Sequence, residues 1–125
     1  MTGIPFKHNG RDYDGVDCLG IVYLYLKEQG IYFPKDDGKE IDEQWYNQSP
    51  RRLLKGLNKH FRKVKEPQAN DILLFKLKGK LRHIGVMIDH HRFLHIRKGK
   101  RSSIERLSKW QTRLHSIYRS KEVAE

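Results

Sequence analysis

The chain predicts an α+β fold in which helices come first and an antiparallel sheet follows. Two observations support this: an apolar run of helical length lies in the first quarter of the chain, and from residue 61 onward short apolar segments alternate with turn-forming residues. This order favours helices packed on one face of an antiparallel sheet. With 125 residues, the chain is expected to form a single domain over residues 1–125.

The first helix is predicted from Cys18 to Gln29. Its residues are apolar for most of that length, and Gly30 is suited to a helix C-terminus. Asp17 stands directly before the helix, where an aspartate side chain can cap the first turn. The polar, glycine-rich segment before it, Met1 to Asp14, is expected to be an extended approach to the helix.

Further helices are expected between the first helix and the sheet. Ser49 is a favourable N-cap, and Pro50 is well placed as the first helical residue. Three leucines would share one face of this helix: Leu53, Leu54 and Leu57. Lys39 to Trp45 is a candidate for another short helix.

The sheet is predicted to contain about five antiparallel strands. Their approximate ranges are 71–75, 83–89, 92–97, 102–107 and 114–119. Phe61 to Val64 is short and is a further candidate strand. The first of the five, Asp71 to Phe75, contains a continuous apolar run, which is typical of a buried strand.

Cys18 is the single cysteine of the chain and lies where the first helix begins. Unpaired amide groups and the positive end of the macrodipole favour a thiolate there. Two histidines follow much later, His83 and His95, each within an apolar segment. This pattern is typical of a cysteine nucleophile and its base. The alternative interpretation of Cys18 is a buried structural thiol.

The two histidines are 12 positions apart, an even separation. If an odd connection of three residues (88–90) or five (87–91) joins their strands, His83 lies directly opposite His95 on one face of the sheet. A two-residue turn at positions 90–91 would instead place the histidines on opposite faces.

With the histidines paired, each residue has an expected role. Cys18 is the nucleophile, and His83 accepts its proton or holds it in a thiolate–imidazolium pair. His95 hydrogen-bonds the far nitrogen of the His83 ring, as the third member of a triad does. Asp89 is an alternative residue for orienting His83. The backbone N–H of Cys18 is a natural oxyanion donor.

Five segments in order resemble the NlpC-type cell-wall cysteine peptidases, a papain-like family of bacterial and bacteriophage origin. The segments are Pro5-Phe6-Lys7-His8-Asn9-Gly10, Gly15-Val16-Asp17-Cys18-Leu19-Gly20, Asn70-Asp71-Ile72-Leu73-Leu74-Phe75, His83-Ile84-Gly85-Val86 and Phe93-Leu94-His95. The resemblance runs from about residue 4 to about residue 119. It implies a papain-like fold and cleavage of the D-γ-glutamyl–diamino acid bond in peptidoglycan stem peptides.

The resemblance also implies site residues: the catalytic set Cys18, His83 and His95, and the substrate-binding set Phe6, Asp17 and Leu19. Leu19 stands where the family usually has serine, and Phe6 stands where tyrosine is common. Asn9 and Asn70 each replace a family glycine. The apolar Leu19 and the Asp/Gly-rich approach before the helix resemble phage tail-associated members. We therefore expect phage tail proteins among the partners.

The charge of the chain is +11, which attracts polyanions such as a carboxylate-rich cell wall. We do not expect nucleic acid as a partner, because the sequence contains no helix-turn-helix, zinc-finger or RNA-binding motif. The histidines show no metal-binding spacing, and we predict neither a metal nor a cofactor.

Location and function are predicted together. The sequence shows no secretory signal and no apolar run long enough to span a bilayer. We therefore expect a protein made in the cytoplasm that acts in a virion tail or at the cell wall. Two other functions stay open: a papain-like amidase or acyltransferase acting on lipid or another amide, and a non-enzymatic basic binding or structural protein.

Overall fold

The computed structural model describes residues 1–8, 10–33 and 50–122, which form two helices and eight strands. The helices are α1 (Cys18–Glu28) and α2 (Pro50–His60). The strands are β1 (Arg11–Asp12), β2 (Gly15–Val16), β3 (Phe61–Val64), β4 (Ile72–Leu77), β5 (Lys80–Met87), β6 (Arg92–His95), β7 (Ser103–Arg106) and β8 (Leu114–Ser120). Two short 3₁₀ turns, Leu107–Lys109 and Gln111–Arg113, precede β8. The α+β class is confirmed.

Six of these strands form one antiparallel sheet in the order β3-β8-β4-β5-β6-β7. About five strands were expected. The sixth is β3, which pairs along its whole length with β8, from Phe61 opposite Ser120 to Val64 opposite Ile117. The two-residue strands β1 and β2 form a separate ribbon within the segment expected to be simply extended.

Both faces of the sheet are covered by apolar side chains. Alternate residues of β4 and β5 point to opposite sides, because side chains in a strand alternate between faces. One face packs against α1 and contributes Ile72, Leu74, Ile84 and Val86 to the larger core. The other face carries a smaller core beneath the 3₁₀ turns, formed by Leu73, Phe75, Met87, Phe93, Leu107, Trp110 and Ile117. This double burial explains the continuous apolar run in β4.

Helix α1 closely matches its predicted range and ends within one residue of it. Its N-cap is Asp17, as predicted, and Gly30 follows the helix with φ 74°. A positive φ is easily adopted by glycine, so Gly30 lets the chain leave the helix sharply. Helix α1 packs against β5 and β6. The helix that carries Cys18 is therefore seated on the two strands that carry His83 and His95.

Helix α2 confirms the second predicted helix. Leu57 is fully buried in the larger core and Leu54 packs at its margin. The predicted short helix at 39–45 and the predicted N-cap Ser49 lie outside the described residues. Neither α1 nor α2 is long and apolar enough to cross a membrane, and the same holds for every helix in the described part of the chain.

The hairpin between β4 and β5 was predicted incompletely. Lys78 and Gly79 have φ values of 53° and 76°, and they join Leu77 directly to Lys80. Two consecutive residues with positive φ form the tight turn that matches the twist of a hairpin. Strand β5 therefore begins at Lys80 and not at the predicted 83, and the lysine-rich run there forms a hairpin.

Candidate active site

The start of α1 is fixed by a buried carboxylate. Asp17 is 1% exposed, and its Oδ1 accepts hydrogen bonds from the Gly20 amide and from Nη1 of Arg11, both at 2.7 Å. The same Arg11 nitrogen donates to the Gly10 carbonyl at 2.8 Å. Both are charge-assisted bonds to the same carboxylate oxygen, and they hold the first helical turn in place. The helix consequently begins at Cys18.

The segment before α1 lies directly against this turn. A Cβ atom at Gly20 would fall 2.0 Å from the Gly10 carbonyl oxygen, so the close approach requires glycine. Further back, the Lys7 amide donates to the Val16 carbonyl at 2.9 Å, and the Val16 amide donates to the Pro5 carbonyl at 3.0 Å. These bonds place half-buried Phe6 beside the strand that leads into Cys18.

Cys18 is half-buried at the first position of α1 and packs at the margin of the larger core. A thiol that only stabilises a core is usually fully buried. Its partial exposure is compatible with a reactive thiol. Its position at a helix N-terminus adds the favourable electrostatics of the first-turn amide groups.

The two predicted histidines are in contact. Nε2 of His83 lies 2.8 Å from Nδ1 of His95, with ring centroids 5.0 Å apart and ring planes at 71°. His83 is 5% exposed and His95 is 1% exposed. The bond is therefore shielded from water. In the protein interior a hydrogen bond is electrostatically stronger than in water. Asp89, the alternative partner for His83, is engaged elsewhere.

The strand register differs from the one expected. The strands β5 and β6 pair Met87 with Phe93, so His95 lies diagonally across from His83 and not directly opposite it. The cause is Asp89, whose Oδ1 accepts from the amides of His91 and Arg92 at 2.8 and 2.7 Å. This side-chain turn shifts the register by two residues. An even shift keeps both histidines on the same face, and long side chains can still meet diagonally.

Sequence reasoning missed Glu105. This residue lies on β7 opposite Phe93, and its Oε2 accepts a hydrogen bond from Nε2 of His95. The Glu105 side chain is 36% exposed, in contrast to the buried histidine that it contacts. The three side chains form a continuous line from His83 through His95 to Glu105.

Trp110 covers the histidine pair from the 3₁₀ turns. Its ring stacks on His83 with centroids 5.6 Å apart and 29° between planes, and it meets His95 edge-on at 5.1 Å. The guanidinium groups of Arg97 and Arg113 lie 5.6 and 5.2 Å from the centre of the same ring. Trp110 is 7% exposed. It therefore contributes to excluding water from the bond between the histidines.

Burial lowers the pKa of both histidines. For His83 the pKa falls to about 3, first because of burial and then because His95 and the Arg97 guanidinium oppose a second positive charge. For His95 burial also lowers the pKa, while the hydrogen bond and charge of Glu105 oppose that effect. Both imidazoles are therefore neutral at pH 7, and His83 is able to accept a proton.

Two of the three predicted substrate-binding residues are buried. Asp17 is turned inward as the helix cap, and Leu19 is 1% exposed within the larger core. Both side chains support α1 in this structure, and their contact with a substrate stays a prediction. Phe6 is the member of that set that remains partly exposed. It stays a candidate for lining the approach to Cys18.

Comparisons with known proteins point in one direction. The sequence model described as "NlpC/P60 family" matches residues 3–119. The chain is 28% identical over 116 residues to the gamma-D-glutamyl-L-lysine dipeptidyl-peptidase of Bacillus subtilis (strain 168). That match covers 90% of this chain and 33% of the relative, so the chain spans about a third of the length of that protein.

Two solved structures share the fold. The NlpC/p60 domain of the peptidoglycan hydrolase SagA aligns with a TM-score of 0.59 at 18% identity, covering 94% of this chain and 88% of that one. A lipoprotein-like NLP/P60 family protein from Staphylococcus aureus subsp. aureus Mu50 aligns with a TM-score of 0.63 at 20% identity, covering 95% and 37%. Since the family match extends over nearly the whole chain, the protein belongs to the NlpC/P60 family.

Proposed function

We propose that the protein is a cysteine peptidase that hydrolyses the amide bond between D-γ-glutamate and a diamino acid in peptidoglycan stem peptides. The observation that carries the proposal is the shielded 2.8 Å bond between His83 and His95, on β5 and β6, the two strands against which the helix of Cys18 packs. The relative that acts on a gamma-D-glutamyl-L-lysine bond supports this choice of substrate.

The proposed reaction follows the chemistry of an activated thiol. His83 removes the proton of Cys18, the sulfur attacks the γ-carbonyl carbon, and the backbone N–H of Cys18 stabilises the oxyanion. The protonated His83 then gives its proton to the leaving amine, and an acyl-enzyme remains. A water molecule deprotonated by His83 releases the glutamyl product and restores the thiol.

Burial of His83 bears on which of two resting states we propose. A standing thiolate–imidazolium pair requires a charged His83, and the surroundings of this ring lower its pKa to about 3. This supports a description in which His83 is neutral before the reaction begins. His83 then acts as a general base during attack, so the proton moves as the carbon–sulfur bond forms.

The decisive experiment is mass spectrometry of the products released from purified peptidoglycan. The wild type is expected to release fragments ending in D-γ-glutamate, and Cys18→Ser and His83→Ala are expected to release none. His90→Ala is a matched control, because His90 is exposed in the connection between β5 and β6. Undiminished release by Cys18→Ser would overturn the proposal.

The two other functions predict different results in the same experiment with purified peptidoglycan. An amidase or acyltransferase on another substrate would form an acyl adduct on Cys18 without cleaving the wall. A purely basic binding protein would bind the wall in a salt-dependent manner, indifferent to Cys18→Ser. The line of three hydrogen-bonded side chains behind Trp110 favours an enzyme over a binding protein, because a surface that binds by charge has no need of it.

We also propose a phage or prophage tail as the setting in which the enzyme acts. The apolar residue at position 19 and the Asp/Gly-rich approach before α1 support this proposal. Detection of the protein in purified virions by peptide mass spectrometry would test it, and absence from virions of a phage that encodes it would refute it.

A further inference from the structure

We propose that Glu105 is a positioning residue that sets the protons on both histidines. The inference rests on the proposed function for its kinetic consequences but not for its structural ones. It is carried by two contacts: His95 Nε2 with the Glu105 carboxylate, and His95 Nδ1 with His83 Nε2 at 2.8 Å. Glu105 acts through His95 and does not touch the reacting atoms.

The proton arrangement follows from what each group can donate. A carboxylate only accepts, so the His95 nitrogen that faces Glu105, Nε2, must carry the hydrogen. In a neutral His95 the other nitrogen, Nδ1, then has the lone pair and accepts from Nε2–H of His83. The lone pair of His83 is thereby left on Nδ1. This is the nitrogen that can take a proton from a thiol.

A second arrangement would block the site. If His95 carried a proton on each nitrogen, both nitrogens would donate, and Nε2 of His83 would have to accept. The hydrogen of neutral His83 would then sit on Nδ1, which could no longer act as a base. Burial and Arg97 oppose this charged state of His95, and the charge of Glu105 favours it. Below the pH at which His95 gains its second proton, activity is therefore expected to fall.

Glu105 also assists when charge develops. The S–H bond of Cys18 breaks, its proton goes to Nδ1 of His83, and His83 becomes an imidazolium. That imidazolium donates Nε2–H to neutral His95, whose own Nε2–H points at the negative carboxylate of Glu105. Each proton stays on its nitrogen except the one from sulfur, which later leaves with the amine. The carboxylate stabilises the positive ring through the intervening His95.

Nitrogen-15 NMR of the histidine rings tests the arrangement without any substrate. At pH 7 both His83 and His95 are expected as the Nε2–H tautomer in the wild type, with signals assigned by His83→Gln. In Glu105→Ala the constraint on His95 disappears and a mixture of tautomers is expected. An Nδ1–H tautomer of His95 in the wild type, or tautomers unchanged in Glu105→Ala, would overturn the inference.

Kinetics on stem peptides supply the second test. Glu105→Ala is expected to lower kcat by about 10–100-fold with KM changed less than about twofold. Glu105→Gln keeps an acceptor for His95 but removes the charge, so its kcat should fall less. The acid limb of the pH profile of kcat for Glu105→Gln should shift by roughly half to one pH unit to lower pH, because His95 becomes harder to protonate. Glu66→Gln is the matched control, because it makes the same chemical change at an exposed site. Its kcat and pH profile should match those of the wild type.

The outcomes separate this inference from the proposed function. The pH dependence of Cys18 alkylation by iodoacetamide reports on the His83 base without wall cleavage. If the wild type cleaves no stem peptide while Glu105→Gln still shifts the alkylation profile, the proposed function fails and this inference stands. If cleavage is normal and both Glu105 variants match Glu66→Gln in kcat and pH profile, this inference is overturned.

Discussion

Removing the Asp17 side chain should be among the most damaging single changes at the start of α1. Asp17→Ala deletes the acceptor for the Gly20 amide and leaves the Arg11 guanidinium beside a methyl group. Both lost bonds are 2.7 Å long and the carboxylate is 1% exposed, so water replaces little of what is lost. The variant therefore combines a lost helix cap with an unpaired charge.

The two losses set the expected magnitude. A lost N-cap costs about 0.5–2 kcal/mol. Removing one partner of a buried ion pair costs about 3–5 kcal/mol. Arg11 is 17% exposed and keeps its bond to the Gly10 carbonyl, which reduces the second term. We expect a total of roughly 3 kcal/mol, a large part of the 5–15 kcal/mol typical of a domain.

Urea unfolding measures this loss. With a slope of about 1–3 kcal/mol per molar urea, the midpoint should fall by at least about 1 M. Asp17→Asn keeps a capping oxygen but loses the charge, and should lie between the wild type and Asp17→Ala. Asp14→Ala is the matched control, since Asp14 is exposed in the same segment. If Asp17→Ala had the same urea midpoint as Asp14→Ala, the reasoning would be refuted.

Two further predictions concern pH and backbone conformation. The folded-state pKa values of His83 and His95 both lie below the unfolded value near 6.5. For His83, whose folded-state pKa is about 3, the unfolded chain therefore binds more protons between about pH 6.5 and about pH 3. Stability should therefore fall as the pH drops through this window, by up to about 1.4 kcal/mol per pH unit for one histidine. The fall in the free energy of unfolding from pH 7 to pH 5 should be smaller in His83→Gln, and an equal fall in both proteins would contradict the assignment. Asn70 has a φ of 73°, so Asn70→Val should lower stability by roughly 1–2 kcal/mol while Asn70→Gly should be nearly neutral, as read from thermal unfolding. A valine variant as stable as the glycine variant would show that the turn accommodates any residue.

The start and end of α1 could be predicted because their causes are local. Asp17 caps the helix that follows it, and Gly30 supplies the positive φ that ends it. Asn70 shows the same principle in a substitution. It stands where the family has glycine and adopts φ 73°, a conformation that asparagine tolerates better than most residues.

The register of the histidine strands depends on a side chain that periodicity does not reveal. The even spacing between His83 and His95 allowed both to lie on one face, and the observed pairing of Met87 with Phe93 places them there. Their diagonal offset depends on Asp89, which closes its own turn through the amides of His91 and Arg92. A hydrophobic pattern has period two and therefore does not distinguish two registers that differ by two residues.

The role of Glu105 could not be predicted from the sequence, for a related reason. Its contact with His95 requires the pairing of β6 with β7, and the basic connection that joins these strands has no sequence pattern that predicts their register. The sequence indicated only that a polar residue separated from His95 by an even number of positions could share its face. Several residues of that kind follow His95. The functional partner of a buried histidine was thus decided by strand pairing and not by local sequence.

The burial that keeps His83 neutral also makes its charged form costly. A fully apolar environment would keep His83 neutral. It would also prevent the ring from becoming the imidazolium that attack must generate. We expect the line to Glu105 to ease this conflict, since it ends on a partly exposed carboxylate. Trp110 keeps water from the bond between the rings, so the remote negative charge acts through a medium of low polarisability. Shielding by Trp110 and charge on Glu105 are therefore expected to be interdependent. Trp110→Ala should reduce the kinetic difference between the wild type and Glu105→Gln, because water would then screen the carboxylate from the rings.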